Sequence, residues 1–449
     1  MHWGHATSTD MIKWQEQPIA IYPDELGYIF SGSAVVDTHN TSGFGKDGQV
    51  PIIAIFTYHD PKGEKEGRNN FQTQGIAYSL DEGMTWTKYE LNPVIENPGS
   101  KDFRDPKVTW DQQHDQWIMV LVAGDKTIFY GSKNLINWKM LSTFGQNIGA
   151  HGGVWECPEL FYINIEGTSE GKWVLMVSIN PGGPNGGSAT QYFIGDFDGK
   201  HFVLDKEFEA ALYDKQAFWL DFGKDNYAGV TWSNIPKTDG RRLFMGWMAN
   251  WQYAQNVPTE KWRSSMTVAR ELKLIKIENG FNLTSNPVSE LTRFKNVKFE
   301  QDNIEVENEL ELITAETVDL SQASISFTIS DIERKPFKMT LSNHQGDAID
   351  FGYNTIEKTF FIDRTKSGKV DFSEKFSDKN SKAPRKSTRN NLNAEIIVDK
   401  TSIEIFYDGG ETVMTEIFFA NAPLDTLSIT AMNQSFILDQ IEVYELEIN

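Results

Sequence analysis

Cysteine is almost absent from this sequence, since Cys157 is the only one among 449 residues. A single cysteine excludes an intrachain disulfide, so burial has to stabilise the fold. Positive charge is scarce as well: 42 Lys and Arg stand against 63 Asp and Glu, for a formal net charge of -21. Such a chain would repel phosphate backbones and anionic lipid headgroups. We therefore predict no nucleic-acid partner and no membrane partner.

Long hydrophobic runs and a leader-like start are missing too. No segment approaches the roughly 18 consecutive apolar residues that a membrane helix needs. The opening residues, MHWGHATSTD, have neither the basic start nor the apolar stretch of a signal peptide. The compartment stays open on this evidence, and export to the periplasm or beyond is one option.

The length and the residue patterns indicate a large β protein. A chain of 449 residues favours two domains or one large repeat architecture over a single core. Sustained helical periodicity is nearly absent, whereas short β-rich runs bounded by Gly, Asn, Asp or Pro recur, as in VPIIAIFTYH, DQWIMVLVAG, GKWVLMVSI and RRLFMGWMAN. The chain is therefore predicted to be mostly β.

A local pattern repeats along the first half of the chain. Each copy consists of a strand ending, a turn with Asp, Asn or Gly, and then an aromatic residue. The copies close at Trp14, Trp86, Trp138 and Phe202, at intervals of 72, 52 and 64 residues. Each interval can hold a four-stranded sheet, and sheets repeated in this way are typical of a β-propeller. A sandwich with chance hairpins is the alternative.

The pattern changes near residue 290. Trp is absent after Trp262, and alternating strands such as ASISFTISDI, AEIIVDKTSIEIFYDGG and FILDQIEVYEL follow one another. Alternation with frequent turns is typical of an antiparallel β-sandwich. We therefore predict a propeller over residues 1–290 and a β-sandwich over residues 291–449, connected by SNPVSELTRFKN.

Two carboxylates stand in settings that suit glycoside hydrolysis. A retaining mechanism needs two carboxyl groups about 5 to 5.5 Å apart, one as nucleophile and one as acid/base. Asp105 follows Arg104 in FRDPKV, where an ordinary turn start is the alternative. Glu156 lies between Trp155 and Cys157 in VWECPELF, and apolar neighbours favour the neutral carboxyl that a general acid needs. A buried Glu paired with an Arg is the alternative there.

Other residues offer contacts for a sugar. In YIFSGSAV, Phe30 can stack on a sugar face and Ser31 can donate to a hydroxyl, although a plain edge strand explains the segment equally well. Asp221 lies in the aromatic run FWLDFGKDNYAGVTW, and Trp251 lies in WMANWQYAQNVPTEKWRSSM. Packing in a β core is the general alternative for such aromatic residues.

Taken in order, these segments resemble glycoside hydrolase family 32, which contains invertases, inulinases and levanases. The landmarks span essentially the whole chain and are MHWGHATSTDMIKW, FSGSAV, FRDPKV, WECPELF, LDFGKDNYA, NWQYAQNVPTEKWRSSM, NPVSEL and TSIEIFYDGGETVMTEIFF. The resemblance implies a five-bladed propeller followed by a β-sandwich. It also implies release of β-linked fructose from levan, inulin or sucrose by retaining double displacement, without metal or organic cofactor.

The resemblance also implies a role for each candidate residue. Glu156 would be the acid/base catalyst, and Asp105 would stabilise the transition state by holding sugar hydroxyls. Arg104 would hold the fructosyl ring beside it. The remaining candidates would contact substrate, with Phe30 and Ser31 lining the pocket, Asp221 reaching in from another blade and Trp251 stacking further out.

The sequence departs from the family pattern at its start. A family member opens with a WMNDPNG-like motif whose Asp is the nucleophile, whereas this sequence begins at MHWGH and contains no NDP elsewhere. We therefore expect this chain by itself not to hydrolyse fructosides at a meaningful rate. A non-catalytic fructan-binding protein, a sucrose-specific invertase and a fructosyltransferase of the same fold stay open as alternatives. The sequence does not separate levan from inulin or sucrose, and it leaves the oligomeric state open.

Overall fold

The computed structural model describes residues 1–278, 280–314 and 317–448. Strands account for 50% of the chain and helices for 6%, so the predicted all-β class is confirmed. The strands form a five-bladed β-propeller followed by a β-sandwich. Within the described ranges, no helix is both long enough and apolar enough to cross a membrane.

Five antiparallel sheets follow one another through the propeller. The first is a strand pair, β1 (Trp3–Thr7) and β2 (Gln15–Ile21). The second consists of β3 (Tyr28–Val36), β4 (Ile52–His59), β5 (Gln72–Ser79) and β6 (Thr87–Lys88), and the third of β7 (Phe103–Asp111), β8 (Gln116–Ala123), β9 (Thr127–Ser132) and β10 (Lys139–Phe144).

The fourth sheet consists of β11 (Val154–Asn164), β12 (Gly171–Asn180), β13 (Ala189–Phe197) and β14 (Phe202–Leu204). The fifth consists of β15 (Tyr227–Thr231), β16 (Arg242–Met248), β17 (Ser265–Met266), β18 (Arg270–Ile277) and β19 (Gly280–Pro287). Two short helices lie in the loops: α1 (Pro61–Lys65) precedes β5, and α2 (Lys206–Lys215) precedes β15.

The repeat seen in the sequence is the hairpin before the last strand of a sheet. The closing aromatics directly precede or begin β2, β6, β10 and β14, namely Trp14, Trp86, Trp138 and Phe202. In each hairpin an Asp or Asn side chain accepts backbone N–H groups across the turn, namely Asp10, Asp81, Asn134 and Asp198. By this match, β1 and β2 correspond to the last two strands of the other blades.

The first strand of each larger blade faces the propeller axis. β3 contacts β7, β7 contacts β11, and β11 contacts β15. Together these four inner strands line a central cavity of about 590 Å³. Each inner strand has an irregular register with the next strand of its own blade, and the irregularity lies near the beginning of the strand in all four. These are β-bulges, which release side chains from the ladder and re-aim them.

Two six-stranded antiparallel sheets form the sandwich. One contains, in spatial order, β20 (Lys295–Val306), β31 (Phe436–Leu446), β22 (Ala323–Ile329), β27 (Leu392–Asp399), β28 (Ser402–Tyr407) and β29 (Thr412–Ile417). The other contains β21 (Glu309–Ile313), β30 (Thr426–Ala431), β23 (Phe337–Ser342), β24 (Ala348–Asn354), β25 (Thr359–Lys366) and β26 (Ser381–Pro384). The predicted boundary near residue 290 lies in a 3₁₀-helix, Ser289–Phe294, and the division into two domains stays a prediction.

Candidate active site

Three candidates meet where the inner strands β7 and β11 begin. Arg104 Nη2 donates to Glu156 Oε1 at 3.0 Å, and Arg104 Nε lies 3.9 Å from Asp105 Oδ2. A second donor of the guanidinium, Nη1, binds Asp102 Oδ1 at 2.6 Å. One arginine therefore bridges the two carboxylates that the sequence singled out, at the edge of the central cavity.

The bulges of three consecutive blades share one backbone conformation. Asp105, Cys157 and Ala228 have φ values of 61°, 45° and 52°, in the left-handed region that side chains other than Gly adopt at a cost. A hydroxyl from the preceding blade holds two of these bulges. Thr57 Oγ1 accepts from Asp105 N at 3.0 Å, and Ser178 Oγ accepts from Ala228 N at 3.1 Å. These hydrogen bonds offset the cost of the left-handed backbone conformation. The bulges themselves re-aim the neighbouring side chains toward the propeller axis.

Asp105 is enclosed by protein. It is 5% exposed, and its Oδ2 accepts from Cys157 N at 3.0 Å, while Cys157 Sγ lies 3.7 Å from the same oxygen. Burial raises the pKa of Asp105 to about 6; Arg104 opposes this shift and the charge of Glu156 adds to it. Burial also raises the pKa of the Cys157 thiol well above its ordinary value, which keeps the thiol a neutral donor. Asp105 is therefore mostly ionised at neutral pH and gains a proton in mild acid.

The Glu156 carboxylate is held from two sides. Arg104 binds Oε1, and the phenol of Tyr227, the first residue of β15, donates a hydrogen bond to Oε2. Burial and the adjacent carboxylate raise the pKa of Tyr227 well above its ordinary value, so the phenol remains a donor. The Glu156 side chain is still 22% exposed, which leaves it open to a substrate.

The surroundings of Glu156 are more polar than its sequence neighbours suggested. Side chains alternate across a strand, so Trp155 points away from Glu156 and is fully buried. Arg104 and Tyr227 both donate hydrogen bonds to the Glu156 carboxylate. The local sequence predicted the position of the carboxyl, whereas strands from two other blades determine its environment.

Phe30 and Ser31 occupy the bulge of β3. Ser31 is exposed and lines the central cavity together with Asp105. The Phe30 ring stacks on the imidazole of His59, with centroids 4.1 Å apart and planes 4° apart. Burial lowers the pKa of His59 against the opposing charge of Glu64, so the ring under Phe30 is neutral at neutral pH. Both candidates therefore lie on the strand next to Arg104, and their contacts with a sugar stay predictions.

Asp221 does not reach this cavity. It is 2% exposed, and its carboxylate accepts from Thr415 N at 3.0 Å, from Thr415 Oγ1 at 2.6 Å and from Arg270 Nη1 at 2.9 Å. Thr415 belongs to β29 of the sandwich. We therefore assign Asp221 to the contact between propeller and sandwich rather than to the substrate pocket.

Trp251 forms part of an exposed aromatic surface. It is 45% exposed, and its ring centroid lies 5.0 Å from that of Trp247. The ring centroid of Trp247 in turn lies 6.3 Å from that of Tyr227, the residue bound to Glu156. The structure thus connects Trp251 to the candidate site through Trp247 and leaves the residue 45% exposed. An outer stacking contact with substrate stays a prediction.

Tyr227 was not among the site residues predicted from sequence, although the sequence contains a signal for it. Tyr227 directly precedes the bulge of β15, as Arg104 precedes that of β7 and Glu156 that of β11. An alignment of the inner strands against one another would have placed all three at one level of the propeller. His59 and Thr57 carry no such signal, because each is one residue of an ordinary apolar strand.

Comparison with known proteins connects this geometry to one family. The model of the glycosyl hydrolases family 32 N-terminal domain matches residues 1–287, and that of the family 32 C terminal matches residues 290–445. These two matches place the chain among the glycosyl hydrolases. It belongs to glycosyl hydrolase family 32.

Individual relatives agree with the family match. The levanase of Bacillus subtilis (strain 168) is 41% identical, over 100% of this chain and 64% of the levanase, so the chain spans just under two thirds of that relative. An extracellular exo-inulinase of Aspergillus niger is 37% identical, over 93% of this chain and 82% of the inulinase. The crystal structure of exo-inulinase from Aspergillus awamori has a TM-score of 0.89 at 33% identity and covers 99% of this chain and 90% of its own. The fructofuranosidase from Schwanniomyces occidentalis complexed with fructose has a TM-score of 0.85 at 35% identity, with 99% and 89% covered.

Proposed function

We propose that the whole protein releases β-linked fructose from levan, inulin or sucrose by a retaining double displacement. The observation that carries this proposal is the Arg104 bridge between Glu156 and Asp105 at the rim of the central cavity. The relatives named levanase and exo-inulinase support fructans as the substrate class. The net charge of -21 suits a neutral sugar polymer, because an anionic one would be repelled.

In this proposal Glu156 transfers the proton. It protonates the departing glycosidic oxygen and later removes a proton from the attacking water, as an acid/base does in a retaining enzyme. Tyr227 and Arg104 both donate to its carboxylate and therefore orient it in each half-reaction. The exposed part of the side chain is the part that the leaving group would meet.

Asp105 has a different task. Its buried carboxylate is positioned by the bulge and by Cys157, and we assign it to the hydroxyls of the fructosyl ring. Contacts of this kind strengthen as the ring flattens toward the oxocarbenium-like transition state, so they lower the barrier more than they improve ground-state binding. The nucleophilic carboxylate that retention also requires is assigned neither to Asp105 nor to Glu156.

The test is product analysis combined with trapping. Fructose release from levan, inulin and sucrose should be measured for the whole protein, for Glu156→Ala and for Glu170→Ala, an exposed glutamate in the turn between β11 and β12. We expect release to be abolished by Glu156→Ala alone. The first product observed by NMR should be the β-anomer, and a fluorinated fructosyl inhibitor should label a carboxylate other than Glu156. An α-anomeric product would refute retention, and a label on Asp105 would refute its assigned role.

A further inference from the structure

The segment of residues 221–226, which leads into β15, lies directly against strand β29 of the sandwich. Phe222 N donates to Val413 O at 2.8 Å, and Asp225 N donates to Thr415 O at 3.1 Å. The approach is close enough to require glycine at residue 223, because a Cβ there would lie 2.0 Å from Thr415 O. The segment therefore follows β29 much as a neighbouring strand would, although it belongs to the propeller.

Buried charges fix both ends of this segment. At one end Asp221 accepts from the backbone amide and the hydroxyl of Thr415 and from Arg270. At the other end Asp225 Oδ2 accepts from Ile417 N at 3.0 Å and from Arg364 Nη1 at 2.5 Å. Removing one partner of a buried charge pair is costly, because the remaining charge stays buried without compensation. The sandwich thus sets the position of the segment with little freedom.

This segment leads directly into Tyr227, which lies at the candidate site. Tyr227 comes two residues after Asp225, and the residue between them, Asn226, donates to Asp221 Oδ2 at 3.0 Å. On its other side Tyr227 is paired with Trp247 of β16, and the bulge follows immediately, so the ladder of its own blade supports it at one position. The hydroxyl of Tyr227 must nevertheless reach Glu156 Oε2 in the neighbouring blade.

We propose that Thr415 of the sandwich is a positioning residue for the acid/base, because it fixes the segment 221–226 and thereby holds the Tyr227 phenol against Glu156. Thr415 contacts Asp221 through its amide and hydroxyl and contacts the Asp225 amide through its carbonyl oxygen. The catalytic consequence rests on the proposed function, whereas the placement of Tyr227 does not.

The kinetic test compares Thr415→Val with Tyr227→Phe in the whole protein. Valine keeps the shape of threonine and removes the hydroxyl, and Thr415→Ser restores the hydroxyl. The matched control is Thr412→Val, which removes another buried hydroxyl of β29, one that donates to Pro384 O and not to the segment. All assays are run well below the melting temperature of each variant.

We expect Thr415→Val to lower kcat about 3- to 10-fold with KM nearly unchanged, because it removes a hydroxyl that donates to Asp221 and accepts from Arg270. Thr415→Ser and Thr412→Val should behave like the wild type. On the Tyr227→Phe background, Thr415→Val should change kcat less than twofold, since both substitutions act through one contact. Fully multiplicative effects would overturn the proposal.

Hydrogen exchange tests the placement without any substrate. In Thr415→Val the backbone amides of residues 221–228 should exchange faster than in the wild type and in Thr412→Val, while those of residues 103–107 should not change. Unchanged exchange in residues 221–228 would overturn the proposal. If the whole protein released no fructose, the proposed function would fail, and this exchange measurement would still decide whether Thr415 positions Tyr227.

Discussion

Tyr227 and Glu156 come from the inner strands of adjacent blades and share one hydrogen bond, with the phenol as donor. The carboxylate would have to be protonated and deprotonated once in each catalytic cycle of the proposed reaction. The Tyr227 phenol stays protonated across the working pH range and therefore remains a hydrogen-bond donor. It stabilises the charged carboxylate of Glu156 and keeps this group in place during both proton transfers.

Removal of this phenol should slow the reaction without destroying the site. We expect Tyr227→Phe to lower kcat roughly 10- to 100-fold, because a hydrogen bond to a charged group contributes about 1.5 to 3 kcal/mol. The control is Tyr162→Phe, since Tyr162 is half-exposed at the far end of β11. A wild-type kcat in Tyr227→Phe would contradict this role.

Loss of the Glu156 carboxyl should separate proton transfer from the rest of catalysis. Glu156→Ala should abolish turnover of sucrose, and Glu156→Gln should keep the shape of the side chain and one acceptor oxygen for Arg104 while losing proton donation. Added azide should partly rescue Glu156→Ala on a fructoside with a good leaving group. A wild-type kcat in either variant would remove Glu156 from the mechanism.

Asp105 should show opposite effects on activity and on stability. We expect Asp105→Asn to lower kcat roughly 10²- to 10³-fold, the usual cost of one preorganised contact to the transition state. A raised KM with unchanged kcat would indicate uniform binding instead.

The stability effect follows from the pKa of Asp105, which is about 6 in the folded chain against roughly 3.9 in an unfolded one. Between these values the folded state binds more protons, so the free energy of unfolding falls as the pH rises from 4 to 6. Asp105→Asn removes this fall in the free energy of unfolding, because the Asn side chain does not ionise. At pH 7 the variant should have a higher melting temperature than the wild type, and its free energy of unfolding should be larger by on the order of 1 to 2 kcal/mol. Both differences should vanish near pH 4. A variant less stable at pH 7 would contradict the assigned cause.

Lys386 should make stability depend on pH in the alkaline range. Its ammonium lies 3.3 Å from Trp219 O and 3.3 Å from Asn282 Oδ1, and burial lowers its pKa to about 7. The pKa in an unfolded chain is roughly 10.4, so between these values the unfolded state binds more protons and the free energy of unfolding rises with pH. Relative to Lys386→Met, the wild type should gain melting temperature from pH 7 to pH 10. Exposed Lys65, replaced by Met, is the control and should show no such trend.

The fold could be predicted from sequence because its signals are local. Each hairpin between the last two strands of a blade needs an Asp or Asn that caps the turn and an aromatic a few residues later, and both lie within one short segment. The Arg104, Asp105 and Glu156 candidates were found in the same way, since each is marked by its immediate neighbours.

Asp221 shows where local patterns fail. Its aromatic surroundings predicted a sugar contact, yet its carboxylate is bound by Thr415, which lies 194 residues further along the chain. The hydrogen bond from Tyr227 to Glu156 also spans 71 residues. No short segment contains such information, because it arises only when a particular strand of the sandwich is packed on a particular loop of the propeller.

The common level of the four bulges has a consequence for engineering. Residues inside a bulge are not paired in the strand ladder, so their side chains can be exchanged without shifting the register of the blade. Residues 30–31 and 157–158 are therefore replaceable positions, whereas Asp105 is assigned to the substrate and a Cβ at Gly229 would lie 2.1 Å from the Phe244 ring. A library confined to these four positions would vary the chemistry beside the candidate site and leave the sheets that support it untouched.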